Sequence, residues 1–343
     1  MILVPLGYKV TVAILNWNGI NHLQTFLPSV VENSPEAHIL LIDNASTDTS
    51  VEWVRLRYPQ IEIRIHARNL GFTEGYNQAM PWVQTPFVVL LNSDVEVTSG
   101  WLTPLLARME NHPEVAACQP KIKAYLQKEY FEYAGASGGF LDALGYPYCR
   151  GRIFDVCEKD TGQYNEPMPI CWATGACMMV RMADWHKMNG LEPRFFAHME
   201  EIDLCWRWNH SGKQVWVEPA SVVYHLGAGT LSKSNPRKTF FNFRNGLAML
   251  FTNTIDKSVL WKVPLRLALD GLAGLQFLAK GEVRNCLAII RAHFAFYASI
   301  GYWIKKRRKT KHEAISYDIN TLEKPVSMVW SFFALKKRHF SDL

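Results

Sequence analysis

The sequence predicts an α/β fold in which a mostly parallel sheet is flanked by helices. Three observations lead to this prediction. Apolar, strand-like runs alternate with helix-like segments over the first half of the chain, the run VVLL before Asn92 is apolar throughout, and several runs end in small or polar residues. Strands that are buried on both faces and alternate with helices are typical of right-handed βαβ units. With 343 residues, the chain can hold one large domain and an appendage.

Predicted strands and helices alternate along residues 9–111, four of each kind. Each strand is a short apolar run, and each helix carries apolar residues three and four positions apart. Pro81 is expected to end the third helix early, since proline removes a helical hydrogen bond. The strands are KVTVAILNW from residue 9, HILLID from 38, IEIRIHA from 61 and PFVVLLN from 86. The helices are NHLQTFLPSVVEN from residue 21, TSVEWVRLRY from 49, FTEGYNQAMPWV from 72 and WLTPLLARMEN from 101.

The second half of the chain is less regular. Residues 125–169 are rich in Gly and Tyr and predict loops and small strands over the sheet. Order returns at CWATGACMMVR, and FFAHMEEIDLCWRWNHSG predicts a loop that enters a helix and stops at Gly212. The segment KQVWVEPASVVYH predicts two strands separated by Pro219, and the chain beyond Pro236 is predicted to be helical.

The composition is that of a folded globular protein, with 48% hydrophobic and 20% charged residues, which excludes a disordered chain. The seven cysteines form no C-x-x-C pair, so we expect buried thiols in a reducing compartment rather than disulfides or a zinc site. The N-terminus lacks the pattern of a signal peptide, and no stretch reaches the roughly 18 apolar residues of a membrane-spanning helix. These observations predict a cytoplasmic protein.

Small or polar residues follow the ends of the four predicted strands. The carboxyl ends of parallel strands meet at one edge of a sheet, where open α/β folds bind ligands. A nucleotide suits such a crevice, with Asp43 at a ring N–H, Arg68 at the diphosphate and Asp94 at a divalent cation, Mg²⁺ or Mn²⁺. The candidate residues are Asn16, Trp17, Asn18, Asp43, Arg68, Gly71, Asn92 and Asp94.

Each of these residues also has a purely structural explanation. Ser46 can cap a helix, Gly71 can serve a turn, and Asp43 can begin one. A dinucleotide fold is disfavoured because the chain has no G-x-G-x-x-G and no P-loop. Two rival functions stay open. One is a nucleotidyltransferase, whose usual glycine-rich basic loop after the first strand is absent, and the other is a nucleic-acid-binding protein that uses the basic run KKRRKTK at residues 305–311.

Seven motifs, in their order and spacing, resemble family 2 glycosyltransferases of the GT-A fold, nearest the rhamnosyltransferase-like group that builds bacterial surface polysaccharides. They are LNWNG, IDNASTD, RNLGFTEGYNQAM, LLNSDVEV, TGACMMVR, FFAHMEEIDLCWR and HLGAGT, between about Lys9 and Asn253. The resemblance implies a GT-A domain over residues 1–253, with a helical, basic extension over residues 254–343. It implies an inverting, metal-dependent transfer from a nucleoside diphosphate sugar, dTDP-rhamnose or a UDP-hexose, to a glycan or lipid-linked acceptor. A catalytically dead sugar-binding member of the same fold is a third alternative.

The resemblance assigns roles to the strand-end residues. It implies that Asp43 contacts the nucleobase and that the loop at residues 16–18 helps to hold the nucleotide. Asn92-Ser93-Asp94 occupies the place of the D-x-D motif, so Asp94 is the expected metal ligand. His225 matches a histidine that completes the metal site through a neutral imidazole.

Two further segments resemble elements of the same group. Arg244 and Asn245, in FFNFRNGLAML, match a pair that approaches the diphosphate or the acceptor, with packing on the helix surface as the alternative. The strand TGACMMVR matches the strand that lines the acceptor side, where its Thr-Gly-Ala run suits close approach of a sugar.

The segment HMEEIDLCWRW supplies the candidate base. In a helix that begins near Met199, Asp203 and Arg207 are four residues apart and can form an ion pair. Glu201 lies on an apolar stripe instead, where desolvation raises the pKa of a carboxylate and suits it to accept a proton. In the family, the second acid of the matching pair is the base, which implies Glu201 here, with Asp203 and Glu200 as alternatives.

The C-terminal helices are predicted to be broken at Gly281 and to end in the basic run. Arg284, Arg291 and Lys305 recur at multiples of seven and are expected to share a face. Apolar surface beside basic residues suits anionic lipid headgroups, so we expect peripheral attachment to the inner face of the cytoplasmic membrane and no nucleic-acid partner. The alternative is a helical subdomain packed on the catalytic core or on another subunit.

Overall fold

The structure is a computed structural model that describes residues 7–227, 235–315, 323–324 and 327–343. The last three residues of the HLGAGT motif, 228–230, lie outside the described residues. The described strands are β1 (Val10–Asn16), β2 (His38–Asp43), β3 (Glu62–Ile65), β4 (Phe87–Asn92), β5 (Val95–Val97), β6 (Val115–Ala124), β7 (Gly139–Asp142), β8 (Pro147–Cys149), β9 (Arg152–Ile153), β10 (Val156–Cys157), β11 (Met168–Ile170), β12 (Cys177–Arg181), β13 (Gln214–His225) and β14 (Glu323–Lys324). The described helices are α1 (Ile20–Asn33), α2 (Ser50–Arg57), α3 (Gly71–Ala79), α4 (Leu102–Asn111), α5 (Met182–Lys187), α6 (Glu200–His210), α7 (Pro236–Asn253), α8 (Val259–Ala279), α9 (Val283–Ala298), α10 (Ile300–Glu313) and α11 (Met328–Phe333).

A mixed sheet forms the centre of the molecule. Its strands run in the order β11-β13-β6-β12-β4-β1-β2-β3, and β5 pairs with β13. The half made of β4, β1, β2 and β3 is parallel, as predicted, but β12 runs antiparallel to both β4 and β6. The whole sheet is therefore mixed, because β12 interrupts the parallel order while β6 and β13 again pair in parallel. The chain reaches β12 through small strands instead of a crossover helix, and a parallel return needs such a crossover.

The four predicted strands and four predicted helices of the first half are confirmed as β1–β4 and α1–α4. Pro81 ends α3 as expected, because α3 stops at Ala79 and a 3₁₀ turn follows over Met80–Trp82. Strand β6 was not predicted, since Gln119, Pro120 and Lys121 interrupt its apolar pattern.

The prediction of two strands around Pro219 is also wrong. Residues 214–225 form one strand, β13, whose pairing with β6 shifts register between Glu218 and Val222. A bulge of this kind accommodates a proline that cannot donate to the ladder. The small strands predicted over residues 125–169 are present, and β7–β10 form a second sheet together with β14.

The apolar run of β4 is buried on both faces of the central sheet. Val88 and Leu90 belong to one core cluster, and Val89 and Leu91 belong to the cluster on the opposite face. Alternate residues of a strand point to opposite faces, so a strand covered on both sides is apolar at every position. The polar side chains that follow β4 therefore emerge at the edge of a rigid, fully covered sheet.

The C-terminal helices pack on the sheet domain. Phe296 and Trp303 are buried in the same core cluster as the strands, and so are Met328 and Phe332 of α11. Asn253, the last residue of the predicted GT-A domain, is also the last residue of α7. The division of the chain at this residue stays a prediction, because the extension and the sheet domain share one core.

The second predicted C-terminal helix is in fact two helices, α9 and α10, with an angle of 68° between them. Lys305 lies on α10, so the prediction that it shares a face with Arg284 and Arg291 of α9 is wrong. Within the described part of the chain, no single helix is long and apolar enough to cross a membrane, although α9 and α10 together meet that criterion across their bend.

The basic run KKRRKTK is only partly free. Lys306 donates to Glu192 and Asp203, and Arg307 donates to the backbone carbonyls of Thr254 and Asp256. These two cations serve to anchor α10 to the rest of the protein. The other four basic residues of the run are exposed.

Candidate functional site

The sheet brings the predicted strand-end residues together. Asn16 lies opposite Asp43 in the β1–β2 register, and Asn92 lies on the other side of β1, opposite Leu15. The Asn16 amide donates to Asp43 Oδ1 over 2.9 Å, and Ser46 donates to the same oxygen over 2.6 Å. Asn16 and Asp43 are both buried. In this structure the Asp43 carboxylate orders the loop after β2, and its contact with a nucleobase stays a prediction.

The loop after β1 is tied to the loop after β2. The Asn18 carboxamide oxygen accepts from the backbone N–H of Thr47 over 2.7 Å, and the backbone N–H of Asn18 donates to Ser46 Oγ. Trp17 between them is 44% exposed. An indole held at the rim of a polar crevice offers a flat surface for a base or a sugar. Asp48, which sequence reasoning did not select, accepts from the backbone N–H of Ile20 and so fixes the start of α1.

Arg68 and Gly71 have different surroundings. Arg68 is exposed and makes no hydrogen bond or ion pair within the described residues. Gly71 is buried with φ of +75°, and a Cβ there would lie 2.6 Å from the Phe196 ring. This close approach explains the glycine, because the backbone N–H groups of Phe72 and Thr73 both donate to the Phe196 carbonyl. Contact of either residue with a nucleotide stays a prediction.

Asp94 and His225 meet at the end of β4, as expected of the metal site. Asp94 Oδ1 lies 3.1 Å from His225 Nε2, and Glu132, which the sequence did not indicate, lies 3.3 Å from His225 Nδ1. Burial alone would lower the pKa of His225, but the two flanking carboxylates outweigh burial and raise this pKa to about 10. Burial opposes ionisation of Asp94 as well, yet His225 holds the pKa of Asp94 below its ordinary value.

The chemistry of this pair fits a divalent cation. Asp94 Oδ2 is buried without a hydrogen-bond partner in the described structure, so one carboxylate oxygen is available to a ligand. Residues 7–227 together with the described C-terminal ranges contain no group of three or more His, Cys, Asp or Glu side chains arranged for a metal. Mg²⁺ and Mn²⁺ often take only one or two carboxylates and fill their other positions with substrate phosphates. His225 can act as a ligand only after it loses its proton.

The first turn of α6 carries two adjacent carboxylates, of which Glu200 is buried and Glu201 is half-buried. Glu200 and Glu201 each have one oxygen that is buried and unpartnered among the residues described. Burial raises the pKa of Glu201, and it raises the pKa of Glu200 further because the Glu201 carboxylate is adjacent. Gly175 lies against Glu201, and Ala176 beside it accepts from the backbone N–H of Asn92, so a short run of contacts joins α6 to the end of β4.

Asp203 lies in a buried ion-pair network, which argues against the catalytic role considered for it. The predicted pair with Arg207 is confirmed at 2.8 Å, and Lys306 and Asn253 donate to the same carboxylate. Burial opposes ionisation of Asp203, but Lys306 and Arg207 outweigh it and lower the pKa to about 2. A carboxylate with three hydrogen-bonded side-chain partners and so low a pKa is a poor proton acceptor near neutral pH.

Asp203→Asn is expected to destabilise the fold by about 3 kcal/mol, because it leaves the half-buried Arg207 without its anion and removes one of the two anions that Lys306 contacts. A carboxylate whose pKa is lower in the folded than in the unfolded protein stabilises the fold above its unfolded-state pKa. This contribution is lost as the pH falls toward its folded-state pKa. The destabilisation should therefore shrink by about 1 kcal/mol between pH 6 and pH 3. Urea unfolding at both pH values measures this difference.

The matched control for Asp203 is Glu313→Gln, which removes an exposed pair on α10 in which Glu313 and Lys309 lie 3.8 Å apart. It should change stability by less than about 0.5 kcal/mol at either pH. An Asp203→Asn protein as stable as this control would show that the network does not anchor α6.

Asn245 holds the loop that leads into α6. Its amide nitrogen donates to the carbonyls of Phe195, Ala197 and His198 over 2.7 to 3.1 Å. Phe196, His198 and Met199 have φ between +65° and +72°, so this loop is strained. The predicted nucleotide-binding residue Arg244 joins the same clamp, because its guanidinium donates to the carbonyls of Arg194 and Phe195. Its approach to a diphosphate stays a prediction.

Asn245→Ala is expected to lower kcat on the order of tenfold with little change in the donor KM, since the start of α6 would shift. Asn242→Ala, the same change on the same helix at a side chain with no described hydrogen bond, is the control and should retain turnover. Hydrogen exchange of residues 195–199 should speed up only in Asn245→Ala. Equal exchange in both variants would contradict the clamp.

Sequence comparison shows which known proteins the chain resembles. A family model described as "Glycosyl transferase family 2" matches residues 11–182. The chain is 25% identical over 276 residues to the N-acetylglucosaminyl-diphospho-decaprenol L-rhamnosyltransferase of Mycobacterium tuberculosis, an alignment that covers 74% of this chain and 87% of the relative.

Solved structures show the same fold. A crystal structure of GalNAc-T7 with UDP, GalNAc and Mn²⁺ superposes with a TM-score of 0.56 at 17% identity, covering 72% of this chain and 48% of that one. Residues 1–349 of S. aureus TarS in complex with UDP-GlcNAc superpose with a TM-score of 0.55 at 13% identity, covering 88% and 89% of the two chains. The predicted GT-A fold is thereby confirmed.

Proposed function

Because this chain belongs to glycosyl transferase family 2, we propose that it transfers a sugar, with inversion, from a nucleoside diphosphate donor to a lipid-linked or growing glycan in bacterial surface polysaccharide synthesis. The observation that supports this most is that contacts through Gly175 and Ala176 join Glu201 to the end of β4, where Asp94 and His225 meet. The proposed donor is dTDP-rhamnose, with a UDP-hexose as the second choice, because the mycobacterial relative is an L-rhamnosyltransferase. The same relative is named for a decaprenol-linked substrate, which supports the lipid-linked acceptor.

The donor is proposed to lie along the crevice. Its nucleoside would contact Trp17 and the tied loops after β1 and β2, with Asp43 beneath them, and its diphosphate would lie between Arg68 and Asp94. Fixed positive charge near the leaving group stabilises the transition state more than the bound donor. The reason is that negative charge on the diphosphate oxygen grows as its bond to the sugar breaks. Asp94 and His225 would hold a divalent cation, which when bound supplies such charge.

Glu201 is proposed to accept the proton of the acceptor hydroxyl. That oxygen forms a bond to the anomeric carbon, while the bond from this carbon to the diphosphate oxygen breaks and the diphosphate leaves with the electron pair. The raised pKa of Glu201 suits the role, since a base is most useful when its pKa approaches the working pH. The turn at Thr174–Ala176 lies against Glu201 and is the proposed acceptor side.

The proposed location is the inner face of the cytoplasmic membrane, where a lipid-linked acceptor would be found. The exposed apolar and basic side chains of the C-terminal helices support this location.

A screen of nucleoside diphosphate sugars, with release of the nucleoside diphosphate as readout, tests the proposed function. Turnover of dTDP-rhamnose or a UDP-hexose that increases when a polyprenyl diphosphate sugar is added would support it. Formation of a nucleotide-sugar from a nucleoside triphosphate and a sugar phosphate would instead favour a nucleotidyltransferase.

A further inference from the structure

Helix α8 (Val259–Ala279) has its charged residues inside and its apolar residues outside. Arg266 and Asp270 are buried and pair over 3.1 Å, and His293 of α9 and Tyr146 also contact Asp270. A helix on the surface of a globular protein normally has the opposite arrangement. The inverted pattern means that the outer surface of α8 was not selected for contact with water.

The outer surface of α8 is a continuous apolar stripe. Positions 261, 265, 268, 272, 275 and 279 follow one another at steps of three and four, so they lie on one side of the helix. All six are exposed and all are Trp, Leu or Ala, with Leu272 and Leu275 each 61% exposed. Exposed apolar stripes of this extent mark interaction sites.

Helix α9 (Val283–Ala298) presents a second stripe of the same kind. Gly274 of α8 packs beside Cys286 and Ile289 of α9, so the two helices are neighbours. The exposed apolar residues of α9 recur at the same steps of three and four. They are Val283, Leu287, Ile290, Phe294 and Tyr297.

The charge around the two stripes is positive. Lys280, Arg284 and Arg291 are exposed and have no acidic partner in the described ranges, whereas the acid Glu282 is half-buried and accepts from Asn285. Residues 254–313 contain twelve Lys and Arg against four Asp and Glu. Two copies facing each other through these stripes would bring cations close to cations, which disfavours a self-paired interface. Anionic lipid headgroups match both features.

We propose that the outer stripes of α8 and α9 dock on an anionic lipid bilayer, with the Leu and Phe side chains in the acyl boundary and Lys280, Arg284 and Arg291 at the headgroups. Interfacial helices bury their apolar side about 5–10 Å into this boundary. The proposal identifies the surface responsible for the location proposed above and rests on the proposed function only for that location. The docked surface is separate from Glu201 and Asp94.

Co-flotation of the full-length protein with vesicles tests this surface. The wild type should bind vesicles of 30 mol% phosphatidylglycerol in phosphatidylcholine. Leu272→Glu/Leu275→Glu should lower the partition coefficient at least about tenfold, since each change puts a charge in place of apolar area that the bilayer would bury. Arg284→Gln/Arg291→Gln should weaken vesicle binding on the order of tenfold at low salt. Raising the salt concentration should weaken the binding of this variant little further, because salt screens the attraction that the variant has already lost. Leu56→Glu, at an 85% exposed leucine on α2, is the matched control and should bind like the wild type.

Thermal unfolding of each variant and light scattering of the wild type accompany the flotation. Unaltered binding by the Leu272→Glu/Leu275→Glu protein would overturn the proposal, as would a wild-type dimer that this change dissociates. Donor turnover without added lipid, measured in parallel, separates the two proposals. Lost vesicle binding with intact turnover refutes only the surface, and intact binding without turnover refutes only the proposed function.

Discussion

A Glu201→Gln enzyme is expected to lose on the order of 10²-fold or more in turnover, while its donor affinity stays within about twofold. Glutamine keeps the size and hydrogen-bonding shape of the side chain but cannot accept the hydroxyl proton. Wild-type turnover should fall as pH decreases through the raised pKa of Glu201, so its acid limb should lie above the ordinary glutamate value of about 4.3. The variant should lack this limb. Turnover against pH and donor titration by calorimetry measure these effects.

Two neighbouring carboxylates serve as controls for Glu201. Glu200→Gln removes the neighbouring acid, whose pKa burial and Glu201 raise well above its ordinary value, and the variant should retain most of its turnover. Asp203→Asn should lose stability rather than turnover per folded molecule, because Asp203 is engaged by Arg207 and Lys306. A Glu201→Gln enzyme of near-normal rate beside an inactive Asp203→Asn enzyme would assign the base to Asp203.

Asp94→Ala is expected to abolish metal-dependent turnover, with a loss on the order of 10²-fold or more, and to leave the fold intact. The carboxylate has one buried oxygen without a partner in the described structure, and His225 retains Glu132 as its counter-charge when Asp94 is removed. Binding of Mn²⁺ in the presence of nucleoside diphosphate, measured by calorimetry, should disappear together with the activity. Chelation by EDTA should stop the wild type, and added Mn²⁺ should restore it.

Glu96→Gln is the matched control for Asp94. Glu96 lies two residues further along the same segment and pairs with Lys128 at the surface over 2.5 Å. The control should bind Mn²⁺ and turn over donor like the wild type. Wild-type activity that survives EDTA, or an Asp94→Ala enzyme that still binds Mn²⁺, would refute the metal role of Asp94.

The parallel half of the fold could be predicted because its signals are local. β1, β2 and β4 are short apolar runs that end in polar residues, and apolar periodicity identifies α1 and α4 without tertiary information. Strand β6 escaped prediction because Lys121, in the middle of the strand, is buried against Asp160, a residue 39 positions away. A distant partner leaves no local pattern in the sequence.

The sequence predicted where several candidate residues lie, and their roles stay predictions. Asp43 and Asp94 lie at the predicted edge because β2 ends at Asp43 and β4 ends just before Asp94, and contacts through Gly175 and Ala176 connect Glu201 to the end of β4. The sequence did not indicate that Arg244 and Asn245 hold the loop before α6. Asn245 was placed near the substrate, yet it binds loop carbonyls some fifty residues earlier in the chain.

The inverted pattern of α8 is also only partly visible in the sequence. Its apolar residues are evident from the sequence. The spacing of Arg266 and Asp270 is equally consistent with an exposed ion pair, and only the structure shows that Tyr146 and His293 contact Asp270. The assignment of Lys305 to the face of Arg284 failed because the helix was predicted to continue through Ser299, where α9 and α10 instead meet at a bend of 68°. Side-chain spacing predicts a shared face only within one straight helix.

The central claim is a single displacement at the sugar, with the acceptor hydroxyl activated by Glu201. The anomeric configuration of the first product tests it most directly. It is determined by NMR from the one-bond C–H coupling constant at the anomeric position. A base that activates the hydroxyl on the face opposite the leaving diphosphate gives a product of inverted configuration, which is the expected result. A product with the configuration of the donor would contradict the account, because retention requires a second displacement for which Glu201 as base has no place.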